Sequence, residues 1–268
     1  MSRVRPIGVF DSGVGGLTVL QALRERLPGE DFLYLGDTAR LPYGTKTATT
    51  VRRYALNAAS HLAGGDIKLL VVACNTATSY ALDALAGASP VPVVGVVLPG
   101  VAAAMATGAG KVGVIGTEGT IRSLAYQKAL AALGPGIEVR ATPCPLFVPL
   151  AEEGWGDHPV TDQIAQFYLK DLLEWGAETI ILGCTHYPML TPSLQRVVGP
   201  QVRLVDSARA VADAVVTEHA ELIDTSSGRP GTVHIQLTDA SDRFLRIAEA
   251  ILGGQPEHLE VVDIDSAS

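Results

Sequence analysis

The feature that most constrains this chain of 268 residues is a regular alternation of short apolar runs with amphipathic stretches. The runs are IGVFDS (7–12), DFLYLGD (31–37), LLVVACN (69–75), VPVVGVV (91–97), KVGVIGT (111–117), IEVRAT (137–142), TIILGCT (179–185), VRLVDS (202–207) and TVHIQLTD (232–239). Several are apolar at consecutive positions, the pattern of strands covered by helices on both faces of a sheet. Segments between them, such as LTVLQALRERL and TVRRYALNAASHLAG, carry helical periodicity. This predicts an α/β fold with largely parallel sheets. A chain of this length buries roughly three-quarters of its unfolded surface, so it needs no disulfide or metal staple.

The alternation also repeats. IGVFDSGVGG (7–16) is similar to VGVIGTEGT (112–120), and LLVVACNTAT (69–78) to IILGCTHYP (180–188). Each unit has a small-residue turn after its first strand and a cysteine after a later one. We therefore expect two pseudo-symmetric, doubly wound parallel-sheet lobes with the active site in the cleft between them. Residues 1–98 plus 208–268 would form the first lobe and 99–207 the second, with Leu98-Pro99-Gly100 as the punctuation near the crossing. Ligands of open parallel sheets bind beyond the carboxyl ends of the strands. Asp11, Asp37, Cys74, Thr117, Cys184 and Asp206 all stand at such ends.

Composition narrows the partners. Lys plus Arg number 20 against 28 Asp plus Glu, and a net charge of −8 argues against nucleic acid or an anionic membrane surface. The apolar stretches break well short of the roughly 18 residues of a membrane span. MSRVRPIGVFDSG has no apolar signal region, so a cytoplasmic location is expected. The three cysteines are too scattered for a disulfide framework or a CxxC metal site, and no metal is expected.

Cys74-Asn75-Thr76 and Cys184-Thr185-His186 carry the chemistry. Each cysteine ends an apolar strand and precedes a helical or Pro-interrupted segment. Free N–H groups and partial positive charge at a helix start are expected to lower the thiol pKa and, with the Thr76 and Thr185 hydroxyls, to suit a carboxylate ligand. His186 beside Cys184 can act as acid or proton relay. A buried cysteine is more often packing than catalysis, and Cys144, between prolines in TPCPLFVP, is read that way. FDSGVGG (10–16) is a strand, a Gly-rich turn and a helix start that can cradle an anion, without the spacing of a dinucleotide or P-loop fingerprint. In DTARLPYG (37–44), Tyr43, Arg40 and backbone N–H groups can contact an anion. Glu152-Glu153-Gly154-Trp155 reads as a helix end.

FDSGVGGL, GDTARLPYG, ACNTAT and GCTHYPML together resemble the signature set of the glutamate racemases, within the aspartate/glutamate racemase group. The likeness runs from about Gly8 to Asp206. It implies cofactor-independent interconversion of L- and D-glutamate, supplying D-glutamate for peptidoglycan. It also implies Cys74 and Cys184 as acid/base residues on opposite faces of the substrate, with Asp11 and His186 assisting proton movement. Asp11, Ser12, Tyr43, Gly44, Asn75, Thr76, Thr185 and His186 would bind glutamate, Glu153 would match an acidic position, and a homodimer would be the assembly. Two alternatives stay open on the residues alone. One is a racemase or isomerase of another acidic amino acid; the other is a two-lobed glutamate-binding protein without turnover.

Overall fold

The computed structural model describes residues 5–134, 136–223, 229–256 and 258–264. Its strands are β1 (Ile7–Asp11), β2 (Phe32–Gly36), β3 (Leu69–Val72), β4 (Val93–Gly95), β5 (Lys111–Gly116), β6 (Glu138–Pro143), β7 (Thr179–Gly183), β8 (Arg203–Asp206), β9 (Val233–Leu237) and β10 (His258–Val261). The helices are α1 (Leu17–Arg26), α2 (Ala48–Gly64), α3 (Asn75–Ala88), α4 (Val97–Met105), α5 (Glu118–Ser123), α6 (Ala125–Ala131), α7 (Phe147–Glu152), α8 (Pro159–Glu174), α9 (Thr191–Val198), α10 (Ser207–Glu218) and α11 (Asp242–Leu252).

Every strand pair is parallel. One sheet runs β10-β9-β2-β1-β3-β4 and the other β6-β5-β7-β8. The block β2-β1-β3-β4 has the same order as β6-β5-β7-β8, which gives the sequence repeat its structural form. Both sheets are covered on both faces, as the two-sided apolar runs require. In β1, Ile7 and Val9 join the core under α1, α10 and α11, while Phe10 points into the core under α2 and α3. In β7, Ile180 and Leu182 pack toward α7, α8 and α9, and Ile181 toward α4 and α6. Helix starts follow their caps: the hydroxyls of Thr47, Thr117 and Ser241 accept from Thr50, Thr120 and Phe244 N–H at 3.3, 3.2 and 3.2 Å.

Two helices are exchanged between the lobes. α4 follows β4 of the first sheet, yet Val97, Val101 and Ala104 pack with Val112, Val114 and Ile181 of the second. α10 follows β8 of the second sheet, yet Ala208, Val211, Ala212 and Val215 pack into the first sheet's core. Leu98-Pro99-Gly100, read from sequence as punctuation, lies inside α4 near its start. A proline in a helix's first turn gives up only an N–H that has no partner there. β10 has no counterpart in the sequence reading; it is a mostly exposed edge strand whose pattern does not separate it from a loop. Among the described residues no helix is long and apolar enough to cross a membrane.

Candidate active site

Strand order reverses between β1 and β3 in one sheet and between β5 and β7 in the other, the positions where such sheets open a crevice. The segments leaving those four strands meet around one cavity between the lobes. Its wall includes Ser12, Tyr43, Gly44, Cys74, Asn75 and Thr76 from the first lobe and Thr117, Val148, Glu152, Cys184, Thr185 and His186 from the second. A larger cavity of about 560 Å³ beside α4 and α10 contains none of the sequence-predicted site residues. The cavity between the cysteines measures about 30 Å³. That is room for a water or two and far below the several hundred Å³ of common ligand pockets. The lobes meet closely here, with residues of both on the wall of this one small cavity.

Both cysteines are buried. Cys74 caps α3, its Sγ accepting from Ala77 N–H at 3.4 Å, and its thiol donates to Ser12 Oγ at 3.4 Å. The helix start was expected to lower this thiol's pKa. Instead burial, reinforced by the Asp11 carboxylate, pushes it up to about 12. Desolvation of a thiolate outweighs a helix terminus once water is excluded. Cys184 is followed by a 3-10 turn (Tyr187–Leu190) rather than directly by an α-helix. Its Sγ lies 3.9 Å from His186 Nδ1. Burial disfavours charge on His186, but Cys184, Glu152 and Asp11 outweigh it and raise the imidazole to about 10.

Glu152 Oε1 lies 3.2 Å from His186 Nε2. The separation is that of an ion pair, though the ring N–H is not aligned for a hydrogen bond. Burial acts against charge on Glu152, while His186 and Arg243 outweigh it and hold the carboxyl below its usual range. Asp11 stands behind the wall, fully buried, accepting from Gly13 N–H at 2.9 Å and Thr185 Oγ1 at 3.4 Å. Burial raises its carboxyl.

The remaining predicted residues fall into two groups. Asn75, Thr76 and Thr185 bridge the lobes: Asn75 Nδ2 donates to Tyr126 Oη at 2.8 Å, Thr76 Oγ1 shares a hydrogen bond with Thr117 Oγ1 at 2.8 Å, and Thr185 O accepts from Thr18 Oγ1 at 3.1 Å. Tyr43 and Arg40 are committed elsewhere than the sequence suggested. The Tyr43 hydroxyl donates to the buried Asp37, and Arg40 Nε reaches both Asp37 oxygens at 2.8 and 2.9 Å. Tyr43 also lines the cavity, whereas Arg40 is not on the wall. Glu153, carried over by resemblance, points away and is 57% exposed; its neighbour Glu152 is on the wall. The sequence signal at this place was two adjacent acids at a helix end, and only the helix phase separates them. Two glycines mark how closely the lobes meet. A Cβ on Gly15 would sit 2.4 Å from His186 Nδ1, and one on Gly44 would sit 2.5 Å from Thr117 Cβ. Among the described residues no cluster of three or more His, Cys, Asp or Glu could hold a metal ion.

A family profile described as Asp/Glu/Hydantoin racemase matches residues 7–215. A glutamate racemase of Geobacter metallireducens is 52% identical over 254 residues, covering 94% of each chain. One of Syntrophus aciditrophicus is 47% identical over 268 residues, covering 98% of each. The crystal structure of Francisella tularensis glutamate racemase in complex with D-glutamate superposes with a TM-score of 0.91 at 35% identity, covering 99% of this chain and 100% of that one. Matching twin sheets, a cysteine after the third strand of each, and likeness along the whole length lead to one conclusion: this chain belongs to the Asp/Glu/Hydantoin racemase family, and within it to the glutamate racemases.

Proposed function

We propose that this enzyme interconverts L- and D-glutamate with two cysteines as alternating acid and base, without a cofactor, and supplies D-glutamate for peptidoglycan in the cytoplasm. The single observation that carries this is the placement of Cys74 and Cys184 at equivalent strand ends of two opposed sheets, both on the wall of one small cavity. Inversion at Cα needs a base on one face and an acid on the other. One thiolate removes the α-proton while the opposite thiol delivers a proton to the other face, and the roles exchange in the reverse direction.

His186 supports the Cys184 side, since its nitrogen lies within reach of the sulfur and Glu152 balances its charge. Cys74 has no histidine partner of this kind; Ser12 and the α3 amide are its hydrogen-bond partners. Its thiolate therefore needs charge from elsewhere, and the ammonium of an incoming amino acid is a chemically suitable source. Opposite-charge pairing of that kind offsets the desolvation that keeps the Cys74 thiol protonated. Asn75 Nδ2, Thr76 Oγ1 and Thr185 Oγ1, bonded across the lobes to Tyr126, Thr117 and Asp11, are the donors that would be traded to the carboxylates of glutamate.

The test is to run L-glutamate to partial conversion in deuterium oxide and read the label at Cα. Deuterium in the D-glutamate formed, with little in the remaining L-glutamate, is expected. D-glutamate formed without label would overturn the two-cysteine reading.

A further inference from the structure

Arg243 lies outside every motif described above, on the first turn of α11. α11 packs on the first lobe through Phe244, Ile247 and Ala248. α7, which ends in Glu152, packs on the second lobe through Phe147, Leu150 and Ala151. Between them Arg243 Nη2 lies 3.4 Å from Glu152 Oε2 and 3.0 Å from Glu153 Oε1. The other Glu152 oxygen faces His186 Nε2. The side chains form one chain of contacts across the lobe boundary, from Arg243 to Glu152, His186 and Cys184. A third cavity, of about 240 Å³, has Arg243, Leu41 and Glu152 on its wall. Leu41 and Glu152 also line the cavity between the cysteines, so the two cavities adjoin at Glu152 and Arg243 is on the wall of the outer one alone.

We propose that Arg243 is a positioning residue for the Cys184 half of the reaction, holding Glu152 toward His186 only when the lobes are closed. Glu152 has two carboxylate oxygens and uses one for each cation, so removing Arg243 frees the side chain to turn from the ring. An exposed ion pair by itself contributes little. This pair differs because the carboxylate it fixes is largely buried, with 15% side-chain exposure, and is shared with a buried histidine. Parting the lobes separates α11 from α7 and breaks the chain of contacts, so the Cys184 side is set up on closure and relaxed on opening. The inference rests on the two-cysteine reading above.

The experiment compares wild type, Arg243→Ala and Arg243→Lys with L- and D-glutamate, each protonated or deuterated at Cα. Enantiomers have an equilibrium constant of one, so kcat/KM must fall equally in both directions. The expected fall in Arg243→Ala is about tenfold, with Arg243→Lys recovering to within about threefold of wild type. The diagnostic readout is the primary isotope effect on kcat/KM. It should rise for the one enantiomer whose proton Cys184 removes and fall for the other, because only one of the two proton transfers has become slower. An unchanged rate, or isotope effects that shift together for both enantiomers, overturns the role of Arg243. Solvent-deuterium uptake by wild type is measured alongside. Its absence sinks the two-cysteine reading itself, whereas its presence with an unaltered Arg243→Ala enzyme sinks only this inference.

Discussion

Gly15→Ala adds a single methyl group at the place where the lobes come closest to the reacting groups. Gly15 does not have a positive φ, so alanine meets no backbone strain there. The added Cβ would sit 2.4 Å from His186 Nδ1, 2.5 Å from Thr185 Oγ1 and 2.7 Å from His186 Cε1. Ordinary contact begins at 3.4 Å, so the opposite wall must retreat by about 1 Å. Such a retreat stretches the Thr18–Thr185 bond from 3.1 Å and the Thr185–Asp11 bond from 3.4 Å beyond hydrogen-bonding range. It also moves His186 relative to Cys184, or both away from Cys74. Misplacement of this size costs on the order of 100-fold in rate. Overpacking inside one rigid core costs about 1–3 kcal/mol, but here the strain relaxes by lobe opening, so the melting temperature should fall by only a few degrees. Steady-state kcat/KM for L-glutamate and a thermal melt measure the two effects. Gly87→Ala in α3, where a Cβ meets nothing within 4 Å, is the matched control and should be neutral or stabilising by about 0.5–1 kcal/mol. A Gly15→Ala enzyme with activity within about threefold of wild type would refute the idea that closed-lobe geometry sets the rate.

Further outcomes follow from other parts of the molecule. Cys74→Ser and Cys184→Ser should each abolish racemisation followed by polarimetry. Cys144→Ser, although buried, lies off the cavity wall and should retain turnover with about 1–3 kcal/mol less stability in urea. With burial holding the Cys74 thiol near 12, about one molecule in ten thousand carries its thiolate at pH 8. Peptide mapping after iodoacetamide at pH 8 should therefore show Cys74 of the unliganded enzyme reacting more than about a hundredfold slower than free cysteine, and equal rates would contradict the burial argument. Lys68 and Glu30 form a buried ion pair at 2.5 Å, at 0% and 3% exposure. Lys68→Met alone should cost about 3–5 kcal/mol in urea unfolding, and adding Glu30→Leu should recover most of it.

Much of the architecture was written locally. Apolar runs on both strand faces specify parallel sheets buried between helices, and β1 to β9 lie on the nine runs because that pattern is set by residues a few positions apart. The repeated Cys-Asn-Thr and Cys-Thr-His motifs mark equivalent strand ends in the sequence itself, because each cysteine's place depends only on where its own strand stops. Burial is another matter. Cys74 begins a helix, as its sequence suggests, yet its proton is governed by burial and by the charge of the Asp11 carboxylate, brought beside it from another strand. The choice between Glu152 and Glu153 turned on the phase of a six-residue helix, and the exchange of α4 and α10 on which core each reached. Arg243 gives no local signal, being 91 positions from Glu152 and joined to it only by the packing of α11. Periodicity thus determined what each segment becomes. Which charges face one another across the cleft, and how dry that cleft is, required the two sheets to be brought together, since electrostatic energies depend on distance and solvent exclusion that short-range sequence does not encode.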